Sequence, residues 1–177
     1  MRRRRTRGLK GLIRQFGRQQ DGATAVEFAL VAAPFFWLML VIFETAAVLF
    51  TDIALQNGII NTARLIRTGQ VQTQGISQAA FRTILCNNIA SYINCSKIRL
   101  DISKSATLPM TGTDMMNVPD ATAQKWQVGG PSEWVMVQAR YDWKLFIPGI
   151  SQLSNQTGGK VRRLTAGAMF RNEPYGG

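Results

Sequence analysis

The stretch ATAVEFALVAAPFFWLMLVIFETAAVLFT, residues 23–51, decides the fold of this chain. Between Phe28 and Phe43 it carries no charge and almost no polarity, slightly short of the roughly 20 residues needed to cross a bilayer core. Extension to Ala23 and Thr51 gives a helix-compatible segment interrupted only by Glu27 and Glu44. A surface apolar all round, with Phe35, Phe36 and Trp37 together, is too hydrophobic for the buried helix of a small domain. The expectation is a membrane span. A carboxylate such as Glu27 at its mouth costs on the order of several kcal/mol unless it pairs, snorkels or protonates, so a functional role is expected of it.

The flanks set the orientation. Arg2, Arg3, Arg4, Arg5, Arg7, Lys10, Arg14 and Arg18 precede the span, opposed only by Asp21, and the next basic residue is Arg64. The N-terminus is therefore expected in the cytoplasm, with everything past about residue 50 outside the inner membrane. Because the excess of 21 Lys and Arg over 10 Asp and Glu belongs mostly to this leader, no nucleic-acid surface is expected on the folded part. The run RRRR at residues 2–5 reads as a topology determinant that anionic lipid also attracts.

A secretory signal peptide needs its small-residue cleavage site after the apolar run. The candidate TAA, residues 45–47, follows Glu44 and is followed by VLF, so apolar character resumes beyond it. A mitochondrial presequence would be amphipathic and would not lead into such a run. The small residues Gly22, Ala23 and Ala25 lie before the run, on the cytoplasmic side, where a peptidase of another type would work.

Gly22, then ATAV, then Glu27 and Phe28 ahead of an apolar helix, resembles the prepilin processing motif. The continuation AVEFALVAAPFFWLMLVIFETAAVLFTDIALQNGIINTARLIRTGQ, with YDWKLFIPGI and AMFRNEPY near the C-terminus, is similar to the TadE-like pseudopilins of the tight-adherence (Flp) type IV pilus system. The resemblance implies cleavage after Gly22 by a prepilin peptidase, which leaves Ala23 as the new N-terminus. It implies a minor pilin whose partners are other pilin and pseudopilin subunits, the inner-membrane pilus assembly platform and membrane lipid. It also implies that Glu27 attracts the freed amine of a neighbouring subunit, each charge offsetting the burial of the other. Glycine suits the cleavage site because it has no side chain to obstruct a protease. The competing reading of Glu27, a helix-start carboxylate favoured by the N-terminal dipole, is worth under about 1 kcal/mol and accounts for neither Gly22 nor the apolar setting.

Beyond the span, Ala54, Leu55, Ile59, Ile60, Ala63 and Ile66 recur at helical spacing, so the helix is expected to continue as a stem that ends at Gly69. A second helix is expected from Ser77 to Tyr92, and strands in KIRLDIS (97–103), EWVMVQARYDWKLF (133–146) and LTAGAMFRN (164–172). Residues 104–132, rich in Pro and Gly, read as loop. The expected class is α+β and type IV pilin-like. Its parts are a cleaved basic leader at 1–22, a transmembrane and assembly helix at 23–51, and an exported globular domain at 52–177 in which the stem packs on a second helix and a small antiparallel sheet.

With no histidine, the commonest general base and zinc ligand are both missing, and triad catalysis is excluded. No catalytic constellation appears at recognisable spacing, so no enzyme is expected. Cys86 and Cys95 cannot complete a zinc site and suit a local disulfide in an oxidising compartment, two unpaired buried thiols being the alternative. Asp101, Asp114, Asp120 and Asp142 form no metal-ligand spacing, and no metal or cofactor is expected. The run from Gly158 to Val161 lacks the hydroxyl residue of a phosphate-binding loop and reads as a turn, and Trp126, Trp134 and Trp143 read as core. The rival function is an unprocessed single-span envelope protein whose exported domain binds a ligand or partner.

Overall fold

A computed structural model describes residues 22–89, 93–105 and 124–175. The basic leader before Gly22, the end of the second expected helix at Tyr92, and residues 106–123 of the expected loop, with Asp114 and Asp120, lie outside the described residues. The chain forms two compact units that divide between Ile42 and Phe43. One helix, α1 (Ala23–Arg67), contributes to both.

In the first unit α1 is clad in exposed apolar side chains, among them Val26, Phe28, Leu30, Phe35, Phe36, Leu38 and Leu40. Ala23–Phe43 is about 30 Å long at a rise of about 1.5 Å per residue, the thickness of a bilayer core. Pro34 lies inside the helix and removes one backbone hydrogen bond there. A helix apolar on every side, with none of its most hydrophobic window buried, fits a single-pass membrane anchor by length and composition.

In the second unit α1 becomes a stem with a defined inner face. Leu55, Ile59, Ala63 and Ile66 are buried on one stripe, whereas Ile60, expected on that stripe, is exposed, because each residue turns the helix by about 100° and Ile59 already occupies the inward direction. Buried Thr62 satisfies its hydroxyl by donating to the Gly58 carbonyl at 2.7 Å, which keeps a polar residue tolerable in the core. Gly69, with φ of +76°, stops the helix just past Arg67, and the ring of Tyr175 packs where a Cβ would stand. A single turn, α2 (Gln70–Thr73), leads to α3 (Gln78–Asn87), which is capped by the Ser77 hydroxyl accepting from the N–H of Ala80 at 3.3 Å. Helix α3 buries Phe81 and Leu85. It ends earlier than its periodicity suggested, at two successive asparagines of poor helix propensity, where the N–H of Asn88 bonds the carbonyls of Ile84 and Leu85.

Three strands follow: β1 (Arg99–Ser105), β2 (Trp134–Lys144) and β3 (Val161–Arg171), in the order β1-β2-β3 and antiparallel throughout. Lys104 and Ser105, expected in the loop, extend β1 by pairing with Val135 and Trp134. The central strand is buried without a break from Val135 to Tyr141, as a strand flanked on both edges should be. Leu100 and Ile102 of β1, Val135, Val137 and Ala139 of β2, and Leu164 and Ala166 of β3 close the core over the α1 stripe and over Phe81 and Leu85. Trp126 packs edge-on against Phe81, with ring centroids 5.4 Å apart.

Polar contacts tie the stem to strand β3 and to the segments around it at three levels. In the loop after β2, the N–H groups of Phe146 and Ile147 donate to Glu44. At mid-strand, Gln56 donates to the Gly167 carbonyl at 3.1 Å and accepts from its N–H at 3.3 Å, completing one rung of an edge strand with a side chain. Past its end, the Glu173 N–H donates to the Arg67 carbonyl at 2.9 Å, and the Glu173 carboxylate meets the Arg67 guanidinium at 3.3 Å.

Candidate functional site

The first turn of α1 carries the residues picked out by the processing motif. Gly22 sits at the helix boundary and Ala23 is the first helical residue. Both are exposed. Glu27 stands four residues beyond Ala23, which places it on the same helix face one turn on. Glu27 is exposed, Phe28 beside it is 72% exposed, and the carboxylate makes no hydrogen bond or ion pair among the described residues. This is an acid presented among apolar side chains at the positive end of a helix dipole, an arrangement suited to receiving a cation from outside the chain.

The second acid of the long helix is treated in the opposite way. Glu44 directly follows the uncharged run and is only 7% exposed. Its two carboxylate oxygens accept from consecutive backbone N–H groups, Phe146 at 2.7 Å and Ile147 at 3.0 Å. Two charge-assisted bonds to one carboxylate compensate the burial of the charge and fix the loop after β2 against the stem. The sequence marked Glu44 only as an interruption of the span, because the groups that satisfy it are main-chain donors 102 and 103 residues away.

Cys86, in the last turn of α3, is bonded to Cys95, with Cα atoms 5.9 Å apart. The bridge fastens the end of α3 to the short 3-10 turn that precedes β1. On the sheet, Asp142 lies between Arg140, at 3.2 Å, and Arg163, at 3.1 Å. Burial pushes the Asp142 carboxyl up, but the hydrogen bonds from the two guanidinium groups outweigh it and hold the group below the usual aspartate range. A cavity of about 530 Å³ nearby is lined by Arg82, Lys97, Arg99, Lys144 and Asp142. Glu133 accepts from the Gly130 N–H at 2.6 Å and from Lys104, and these bonds lower its carboxyl. Among the described residues, no cluster of three or more His, Cys, Asp or Glu could hold a metal ion. Gly158 and Gly159, both at positive φ, form a turn, as the sequence suggested.

A long N-terminal helix of membrane-spanning length and composition, whose outer half packs on a three-stranded antiparallel sheet, is the layout of a pilin-like subunit with a single-pass anchor. Residues 22–64 match the family model of TadE-like proteins, so over that stretch the chain is TadE-like, as its sequence leads one to expect. The match begins at Gly22, one residue before α1, and ends within the stem, leaving the sheet outside it. Neither the curated proteins nor the solved structures include one that matches.

Proposed function

We propose that the chain is a minor pilin of the tight-adherence (Flp) pilus system, cleaved after Gly22 by a prepilin peptidase and active in pilus assembly. The observation that carries this reading is the exposed first turn of α1, where Gly22, Ala23, Glu27 and Phe28 follow one another on a helix whose side chains are apolar all round. Cleavage removes the arginine-rich leader and frees an amine at Ala23. A new ammonium group from a neighbouring subunit meets Glu27 in a low-dielectric setting, where the attraction is stronger than in water and each charge lowers the burial cost of the other. The remaining apolar surface of α1 then exchanges lipid for similar helices of other pilin and pseudopilin subunits, starting from the inner-membrane assembly platform. The leader stays in the cytoplasm and everything past about residue 50 lies outside the inner membrane.

Intact-mass and N-terminal analysis of the protein from its own host tests this directly. The expected mature chain begins at Ala23. A chain still beginning at Met1 while the peptidase is active overturns the reading in favour of an unprocessed membrane-anchored protein. Glu27→Ala is expected to leave cleavage intact and to lower incorporation into pili, and normal incorporation refutes the charge-pairing role.

A further inference from the structure

We infer that the loop from Leu145 to Gly149 is a second membrane contact, which lays Phe146 into the outer-facing leaflet of the bilayer that α1 crosses. The inference rests on the membrane-span reading of α1. Glu44 is the residue immediately after the uncharged run, and it holds the backbone of Phe146 and Ile147 by two hydrogen bonds. The loop is therefore fixed beside the turn of α1 at which the apolar run ends, the level of the lipid headgroups for a span of about 30 Å.

The chemistry of the loop suits that level. Leu145, Phe146, Ile147 and Pro148 are four apolar residues in succession, and Phe146 is 77% exposed although its own N–H is anchored. An anchored backbone with an outward aromatic side chain presents that side chain to something outside the unit. Phe146 packs edge-on with Trp143, ring centroids 6.4 Å apart, so two aromatic residues stand together as in an interfacial belt. The loop is bracketed by exposed lysines: Lys144 precedes it, and the carbonyl of Lys160 accepts from the Leu145 N–H at 2.9 Å. An apolar tip between cations matches a leaflet whose acyl chains lie beneath anionic phosphates. The occupant is lipid. A second contact of this kind would orient the exported unit before the subunit leaves the bilayer.

Site-directed spin labelling of the full-length protein tests it. The native cysteines are joined to each other, so a single added cysteine can be labelled. Phe146→Cys, Pro148→Cys, Leu38→Cys and Thr83→Cys would each carry a nitroxide, in vesicles of phosphatidylcholine and phosphatidylglycerol. The ratio of accessibility to oxygen over a water-soluble nickel chelate reports depth. The expected result is a high ratio at 38, an aqueous ratio at 83, and values at 146 and 148 several-fold above that at 83. A high ratio at 38 with aqueous ratios at both 146 and 148 overturns the loop contact and leaves the span intact. An aqueous ratio at 38 refutes the span reading itself, and the loop contact with it.

Discussion

Glu44→Ala isolates the clamp that joins the stem to the loop after β2. The carboxylate is 7% exposed and accepts two backbone N–H groups, at 2.7 and 3.0 Å. A hydrogen bond to a charged group contributes about 1.5–3 kcal/mol net, and a buried donor left without a partner costs about 1–3 kcal/mol. Both donors lose the same acceptor at once, and the loop regains some freedom, so about 2–4 kcal/mol of local stability should be lost. At 1.4 kcal/mol per tenfold, the middle of that range is about 10²-fold in the local opening equilibrium. Amide hydrogen exchange of the detergent-solubilised protein is the assay, read at Phe146 and Ile147 against the buried strand amides of Val135 and Val137. Exchange at 146 and 147 should accelerate by about that factor while the strand amides change far less. Glu44→Gln, with one acceptor oxygen in place of two, should show about half the loss in free energy. Unchanged exchange at both loop amides in Glu44→Ala would show that the clamp contributes nothing and would refute the reasoning.

Three further outcomes are expected. A Cβ on Gly58 would lie 2.6 Å from Ile89 Cγ1, so Gly58→Ala should destabilise by about 1–2 kcal/mol despite the better helix propensity of alanine, and the sign should reverse in an Ile89→Ala background; chemical denaturation checks both. The Asp142 carboxyl is held below its ordinary range, so its contribution is present above the ordinary aspartate value and is lost as pH falls below about 4. Asp142→Asn should therefore lower the unfolding free energy at neutral pH, by about 1 kcal/mol or less since the group is partly exposed, and should flatten the acid limb of the pH profile, as chemical denaturation checks. Replacing Cys86 and Cys95 by serine should cost about 2–3 kcal/mol, and thiol labelling of the unreduced exported protein should find no free sulfhydryl.

Much of the secondary structure is written in neighbouring residues. The first half of α1 follows from an apolar run with no turn residue other than Pro34, and the stop of the helix follows from Gly69. Ser77 announces the start of α3 and alternation announces the strands, to within a few residues. The extra residues at the end of β1 were not legible, because Lys104 and Ser105 are strand residues only through pairing with Val135 and Trp134. The expectation for Gly22, Ala23, Glu27 and Phe28 rests on the same local kind of signal, their spacing within residues 22–28 and their contrast with the apolar run.

Glu44 and Glu27 divide what the sequence by itself determined from what the tertiary structure decided. Both are carboxylates in the same apolar helix, and side-chain type does not separate them. The sequence determined that the helix forms, that it has the length of a membrane span, and that an acid stands at its mouth behind a glycine. Only the tertiary structure decided that Glu44 turns inward to grip a loop, that Gln56 completes a rung on β3, and that Tyr175 covers Gly69. The physical reason is that these partners are largely main-chain groups more than 100 residues away, and every residue but proline offers the same N–H and every residue the same carbonyl. A backbone donor leaves no mark in the sequence, so which one a buried acid finds is fixed only when the chain closes on itself.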